Sequence, residues 1–140
     1  MKKTVLIIAL AAVLVLSACG KAGPQTAEIS LKSNPTTGYS WFAFQNSDLF
    51  EITDEYIPDS TDEHIAGSGG YQHFVLKPLK AGECEVSFIY QRPWEAMELG
   101  DDYTFNISVS KNLQIKVNGM SAGITGEADV FPEIPEMIIK

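Results

Sequence analysis

Hydrophobic and β-branched residues recur in short segments along most of the chain, separated by residues typical of turns. Six segments have this strand-like character: Glu28–Ser33, Tyr39–Gln45, Leu49–Ile57, Tyr71–Lys77, Glu83–Gln91 and Tyr103–Ser110. Cys84, Val86, Phe88 and Tyr90 fall on one face of a strand, which predicts that this face is buried. No long segment has the period of an amphipathic helix. Short strands with Gly and Pro in their connections predict an all-β, antiparallel sandwich.

Three connections contain residues that are more specialised than a simple chain reversal needs. They are Asn34-Pro35-Thr36-Thr37-Gly38, Gly67-Ser68-Gly69-Gly70 and Arg92-Pro93-Trp94. Two predicted strands separate each connection from the next, so the chain returns to the same end of the sandwich each time. We therefore expect the three loops to be neighbours.

The first loop combines residues that make a stiff projection. Pro35 fixes one φ angle, Asn34 can bond its side chain to nearby backbone, and Gly38 permits positive φ. Its tip carries Thr36 and Thr37, which are small and uncharged and could enter a narrow cleft without burying a charge. Taken alone, these turn residues favour a simpler interpretation, in which the loop is only a stable connection between two strands.

The other two loops are also open to more than one interpretation. Gly67–Gly70 has almost no side chains, which suits close approach to another backbone or a mobile tip. Arg92 and Trp94, on a turn restrained by Pro93, are residue types common at interface hot spots. Trp94 could equally fold back over the end of the core.

The N-terminus has the pattern of a secretory signal. Met1-Lys2-Lys3 is basic, and the apolar run Val5–Leu16 is too short for a finished membrane span. Leu16-Ser17-Ala18-Cys19 matches the bacterial lipobox, in which the cysteine is acylated and becomes the first mature residue; the alternative is an ordinary cleavage site with an incidental cysteine. We expect a signal peptide over residues 1–18, a lipidated Cys19 within a spacer over 19–27, and an extracytoplasmic location on a bacterial membrane.

Composition narrows the classes of partner. The formal net charge is −8, and loss of residues 1–18 removes Lys2 and Lys3 and moves it to about −10. An acidic chain lacks the basic face that nucleic acid requires. A lipidated Cys19 cannot pair with Cys84, so no disulfide is expected. We expect one domain, as a monomer, whose stability comes from its hydrophobic core.

An enzyme is the main competing class, but its candidate residues do not form a set. Cys84 lies on the predicted buried face, His64 lies in an acidic loop, and His73 lies in a strand. The acidic stretch Asp59–Glu63 lacks the ligand spacing of a calcium loop. We predict no catalysis, no metal and no cofactor.

The three loops together resemble the signature motifs of the chagasin family of cysteine peptidase inhibitors. In order, the matching residues are Asn34-Pro35-Thr36-Thr37-Gly38-Tyr39, Gly67-Ser68-Gly69-Gly70 and Arg92-Pro93-Trp94. The resemblance spans about Glu28–Ser110 and implies an immunoglobulin-like β-sandwich that binds papain-type peptidases reversibly and without a covalent bond. It implies that Thr36 and Thr37 enter the active-site cleft, with the glycine segment on one side and Arg92, Pro93 and Trp94 on the other.

Two features depart from the family pattern. Only a short spacer precedes Glu28, where family members usually have another strand, and residues 111–140 continue past the usual end of the domain. In this extension Asn118-Gly119 predicts a hairpin, followed by an extended tail over Asp129–Lys140. The hairpin strands are Leu113–Val117 and Met120–Ile124. We hypothesise that a tail strand fills the edge left by the missing N-terminal strand.

A second class of function stays open. A sandwich with exposed aromatic residues could be a non-catalytic module of the cell surface that binds carbohydrate or an envelope protein. Tyr39, Trp41 and Trp94 would form its platform.

Overall fold

The computed structural model describes residues 22–60, 67, 69–95, 101–123 and 134–140. These residues form eight β-strands and one short 3-10 helix, Pro35–Thr37. The strands are β1 (Ala27–Ser33), β2 (Ser40–Gln45), β3 (Phe50–Pro58), β4 (Gly70–Pro78), β5 (Gly82–Gln91), β6 (Asp101–Val109), β7 (Ile115–Gly123) and β8 (Ile138–Ile139). In the described ranges no helix has the length and apolar character needed to span a bilayer. The predicted signal peptide, Cys19, His64 and Ser68 lie outside the described residues.

The strands form two four-stranded antiparallel sheets. Their orders are β3-β4-β1-β8 and β2-β5-β6-β7. This arrangement confirms the predicted all-β sandwich, and the six predicted strands correspond to β1 to β6 within two residues at each end. The chain changes sheet at the loops between β1 and β2, between β2 and β3, and between β4 and β5, so both sheets contribute to each end of the domain.

The core lies between the sheets and follows the alternation in the sequence. Val86 and Phe88 of β5 are completely buried, and Cys84 on the same face is 4% exposed. Phe88 packs edge to face against Phe74 of the opposite sheet, with ring centroids 5.0 Å apart. Burial of one such side chain contributes roughly 1.5–3 kcal/mol. Cys84 is a buried free cysteine, as predicted.

The predicted hairpin in the extension is wrong. β7 is one continuous strand paired with β6, and it runs through Asn118-Gly119 without reversing. The register passes from Asn106 opposite Gly119 to Ile107 opposite Val117, so Asn118 is the extra residue of a β-bulge. A type I′ turn needs positive φ at both central residues, and Gly119 does not have it. Pairing along the full edge of β6 replaces the local hairpin because it satisfies a longer backbone ladder.

The chain reverses instead between β6 and β7. The N–H of Leu113 donates to Ser110 O at 2.9 Å, and Leu113 has a φ of 58°. This positive φ is carried by a leucine rather than a glycine, so the residue type does not mark the left-handed position in the sequence.

The end of the chain covers the outer edge of β1. Ile138 and Ile139 pair with Glu28 and Ala27, and Met137 is buried against the core. The N–H of Lys140 donates to Thr26 O at 2.9 Å. A strand of the tail therefore lies on this edge, although it comes from the last residues and not from the predicted hairpin.

Candidate functional site

Three loops meet at one end of the sandwich, as counting of the strands predicted. The threonine loop (Asn34–Tyr39) joins β1 to β2, the glycine loop (Gly67–Gly70) leads into β4, and the tryptophan loop (Arg92–Glu95) follows β5. Ser68, at the centre of the glycine loop, lies outside the described residues. The other predicted site residues lie at this end, which we call the loop pole.

The threonine loop is held in shape by its own hydrogen bonds. The backbone N–H groups of Thr37 and Gly38 donate to the carbonyls of Asn34 and Pro35, closing the 3-10 turn. The Thr36 hydroxyl donates to Asn34 Oδ1 at 2.6 Å, and the Thr37 hydroxyl donates to Asn34 O at 2.6 Å. The Asn34 side chain thus bonds a hydroxyl rather than the expected backbone group. Pro35, Thr36 and Thr37 stay exposed at the tip.

Tyr90 fixes the base of this loop to the core. Its hydroxyl accepts a hydrogen bond from the backbone N–H of Asn34 at 3.2 Å. Its ring stacks on Tyr39, with centroids 5.2 Å apart, and contacts Trp41 at 5.0 Å. Trp41 continues the stack to Tyr103 at 5.6 Å. A column of rings therefore runs from the core to the loop pole and limits movement of the threonine loop.

The glycine loop lies beside the threonine loop, and two of its glycines adopt backbone conformations that other residues rarely adopt. Gly67 and Gly69 have φ of 84° and 74°, a region that favours glycine. A Cβ at Gly67 would lie 3.9 Å from the Thr36 hydroxyl oxygen. A Cβ at Gly70 would overlap Ile57 O and lie 2.7 Å from the Tyr56 hydroxyl. The glycines are therefore explained partly by close packing within this domain.

The tryptophan loop crosses over the threonine loop. The Arg92 guanidinium lies 4.5 Å above the Tyr39 ring centroid, and its Nε donates to Thr37 O at 3.4 Å. Its Nη1 donates to Glu95 Oε1 at 3.0 Å, and this hydrogen bond is the main reason that the pKa of Arg92 is raised. Arg92 thus connects the tryptophan loop to the threonine loop and is not a free surface cation.

Trp94 projects from this loop and is 69% exposed. One edge of its indole ring lies against the α-carbon of Gly38, because a Cβ there would be 2.7 Å from Trp94 Cη2. The ring does not fold back over the core, so the structure decides between the two interpretations of this residue. With Pro93, also exposed, it forms one flank of the loop pole.

Two positioning residues were missed in the sequence. Tyr90 is the last member of the buried alternation of β5, so the pattern indicated burial but not its bond to Asn34. Gln72 of β4 joins the two sheets, since its amide accepts from the N–H of Trp41 and donates to Trp41 O, both at 2.9 Å. Contacts between residues so far apart in the chain leave no local pattern.

The alternative aromatic platform does not form. Trp41 is 2% exposed, and its Nε1 donates to Lys32 O at 2.8 Å within the domain. Tyr39 is covered by Arg92 on one side and Tyr90 on the other. Of the three proposed platform residues, Trp94 is exposed, Tyr39 is half-buried and Trp41 is buried.

The two candidate catalytic residues that the structure describes, His73 and Cys84, are bonded elsewhere or lie far from the loop pole. His73 Nδ1 lies 2.8 Å from the Ser30 hydroxyl, and its Nε2 lies 3.5 Å from Glu28 Oε2, on the outer face of a sheet. Cys84 is buried near the opposite end. The described ranges contain no group of His, Cys, Asp or Glu that could hold a metal ion.

Comparison with known proteins gives these loops a family context. The family model described as "Chagasin family peptidase inhibitor I42" matches residues 23–109. Amoebiasin-1 of Entamoeba histolytica is 36% identical over 83 residues, covering 59% of this chain and 78% of that protein. Chagasin of Trypanosoma cruzi is 37% identical over 73 residues, covering 48% of this chain and 64% of chagasin. The crystal structure of the cysteine protease inhibitor EhICP2 from Entamoeba histolytica is similar, with a TM-score of 0.52 and 28% identity over 59% of this chain and 77% of that one.

Proposed function

The chain belongs to the chagasin family of cysteine peptidase inhibitors, and from that premise we propose that it inhibits papain-type peptidases by filling their active-site cleft. The observation that carries this proposal is that the three loops lie side by side at the loop pole and form one exposed wedge. Arg92 joins two of the loops, and Gly67 packs near the tip of the threonine loop.

The threonine loop is the part of the wedge that would enter the cleft. Thr36 and Thr37 carry no charge, and their hydroxyl protons are already donated within the loop, so burial leaves few polar groups to satisfy. The loop is ordered before binding by its own hydrogen bonds and by the ring of Tyr90. Little conformational entropy is then lost on association, which favours tight, reversible and non-covalent binding.

The two other loops would contact the walls of the cleft. The glycine loop, with Gly67, Ser68, Gly69 and Gly70, offers backbone that another chain can approach closely. The tryptophan loop offers Arg92, Pro93 and Trp94 on the other side. An exposed indole held on a proline turn is well suited to act as a hot spot, because the turn already restricts it and little conformational entropy is lost on binding.

Inhibition of papain and a cathepsin by the domain lacking residues 1–19 tests the proposal. We expect competitive inhibition in the sub-micromolar range. Trp94→Ala should weaken it about thirtyfold or more, as for a hot spot, and Thr37→Lys should abolish it by bringing a charge into the cleft. Thr53→Lys, which makes the same change on the exposed outer face of β3, is the matched control. Absence of inhibition at micromolar concentration across several such enzymes would defeat the proposal.

Membrane anchoring through Cys19 is the second part of the proposal. The support is the lipobox Leu16-Ser17-Ala18-Cys19 after a basic and apolar N-terminus. The domain would then be a monomer held by acyl chains on the extracytoplasmic face of a bacterial membrane. Partition of the expressed protein into a detergent phase should be lost in Cys19→Ala and kept in Cys84→Ala, which removes the other of the two cysteines. Equal partition of Cys19→Ala and the unmodified chain would show that acylation is not the anchor.

A further inference from the structure

The end of the sandwich opposite the loop pole has features that peptidase inhibition does not use. It consists of residues 22–26, the turns 46–49, 79–81 and 110–114, and Lys140, and we call it the basal pole. We propose that the basal pole is a contact surface for an anionic lipid bilayer, which holds the anchored domain upright with its three loops facing away. The inference rests on the proposed acylation of Cys19 and adds the orientation of the domain on the membrane.

The segment that leads to the anchor is fixed to the basal pole. Gly23 O accepts a hydrogen bond from Gln114 Nε2 at 2.8 Å. The N–H of Gln25 donates to Leu113 O at 3.1 Å, and its side-chain Oε1 accepts from the N–H of Ile115 at 2.8 Å. Thr26 exchanges two backbone hydrogen bonds with Lys140. Residues 23–26 are therefore part of the folded domain, although the sequence suggested a spacer.

This fixation leaves a short tether. Only Gly20, Lys21 and Ala22 lie between Cys19 and Gly23. A fully extended chain rises about 3.5 Å per residue, so Gly23 can be no more than about 14 Å from the acylated cysteine. The basal pole must then stay near the lipid headgroups.

The side chains of the basal pole suit such a surface. Lys80 and Lys111 in its turns, and Lys116 just beyond it in β7, are exposed and take part in none of the ion pairs of the described residues. Leu79 is 57% exposed beside Lys80, where an apolar side chain can enter the interfacial region. Two exposed acids lie beside them, Asp48 in the turn 46–49 and Glu83 in β5 at the level of Lys116, so the three lysines exceed these two acids by one.

The loop pole has the opposite electrostatic character. Asp59, Asp102 and the buried Asp101 lie there together with the exposed Lys32, while Arg92 is already bonded to Glu95. An anionic bilayer would repel the loop pole and attract the lysines of the basal pole. The strands between the poles are up to ten residues long, about 30 Å, so the upright domain would present its wedge well clear of the headgroups.

Site-specific quenching in vesicles tests this orientation. The full acylated chain carries an environment-sensitive fluorophore on Ala81→Cys at the basal pole or on Ile57→Cys at the loop pole; labelling is selective because Cys84 is buried. Vesicles of phosphatidylcholine and phosphatidylglycerol contain a nitroxide-labelled lipid as quencher. We expect several-fold stronger quenching at position 81 than at position 57.

Charge removal distinguishes lipid attraction from the short tether alone. One lysine near an anionic surface shifts a contact equilibrium about fivefold. Lys80→Gln should therefore reduce contact at position 81 about fivefold, while Lys32→Gln, which removes the same charge near the loop pole, should leave it unchanged. Equal quenching at both positions, no quenching at either, or no effect of Lys80→Gln would overturn the inference.

Failure of the anchor is recognised before any vesicle is made. A purified chain whose mass lacks the acyl groups defeats the anchoring proposal and this inference with it, and leaves inhibition untouched. An acylated chain with an unquenched probe at position 81 overturns the inference alone.

Discussion

The indole of Trp94 lies directly on the α-carbon of Gly38, so that a methyl group on Gly38 would come within 2.7 Å of Cη2 of the ring. Gly38 also has a φ of 83°, and its N–H closes the 3-10 turn by donating to Pro35 O at 2.9 Å. Gly38 therefore ends the 3-10 turn of the threonine loop and also provides the surface against which Trp94 packs. The two loops form a single rigid unit through this contact.

Gly38→Ala should weaken inhibition about tenfold or more, because it displaces Trp94 and strains the turn. The left-handed backbone alone costs about 1–2 kcal/mol for a residue with a Cβ, so the free energy of unfolding should fall by a similar amount. Gly119→Ala is the matched control, since it has neither positive φ nor any atom within 4 Å of its Cβ position. Urea unfolding and papain titration measure both effects; equal behaviour of the two variants would contradict the role of Gly38.

Arg92→Lys should raise the dissociation rate from the peptidase about threefold. Lysine keeps the charge but loses the planar group that lies over Tyr39 and reaches Thr37 O. Glu95→Gln keeps that stacking and removes only an exposed ion pair, so its effect should be smaller. Surface plasmon resonance of both variants decides whether the stacking of Arg92 on Tyr39 or its ion pair within the tryptophan loop matters more for binding. A larger effect for Glu95→Gln would reverse this account.

Tyr90→Phe should destabilise the threonine loop without disturbing the ring column. The backbone N–H of Asn34 would lose its acceptor, which costs about 1–2 kcal/mol for a partly buried donor. We expect roughly tenfold weaker inhibition and faster hydrogen exchange at Asn34. Tyr71→Phe, which removes the hydroxyl of an exposed tyrosine on the outer face of β4, should change neither. Unchanged hydrogen exchange at Asn34 in Tyr90→Phe would show that the Tyr90 hydroxyl does not hold the threonine loop.

Met137→Ala should lower the free energy of unfolding by about 2 kcal/mol, since Met137 is the buried side chain that leads into β8. Ile134→Ala, at a residue that is 77% exposed, should change it by less than about 0.5 kcal/mol. Thermal and urea unfolding of the two variants measure the difference. If both variants match the unmodified chain, the terminal strand contributes nothing to stability.

Short segments rich in β-branched and aromatic residues, bounded by turn residues, were sufficient to predict the six strands that hold the site. Period-two burial from Cys84 to Tyr90 is dictated by the sequence and preserved in the structure. The adjacency of the three loops followed from the parity of strand crossings, which needs no knowledge of side-chain contacts. Both successes depend on local pattern and topology alone.

The remaining features depend on choices between competing long-range contacts. Asn118-Gly119 is a strong local turn signal, yet the free edge of β6 offered a longer ladder and the pair became a bulge. The hydrogen bond from Asn34 to Tyr90 joins a loop to a distant strand, and the contact of Trp94 with Gly38 joins two loops. None of these contacts can be deduced from local sequence, because each requires the fold to bring the partners together first.

Protection of the catalytic cysteine of papain against alkylation tests the central claim most directly. A wedge that fills the cleft must shield this thiol, so iodoacetamide should modify it many times more slowly in the complex. Thr37→Lys and Trp94→Ala should restore the rate, and the inhibitor should be recovered uncleaved and with unchanged mass. Inhibition of peptide hydrolysis with alkylation at the unprotected rate would contradict occlusion of the cleft.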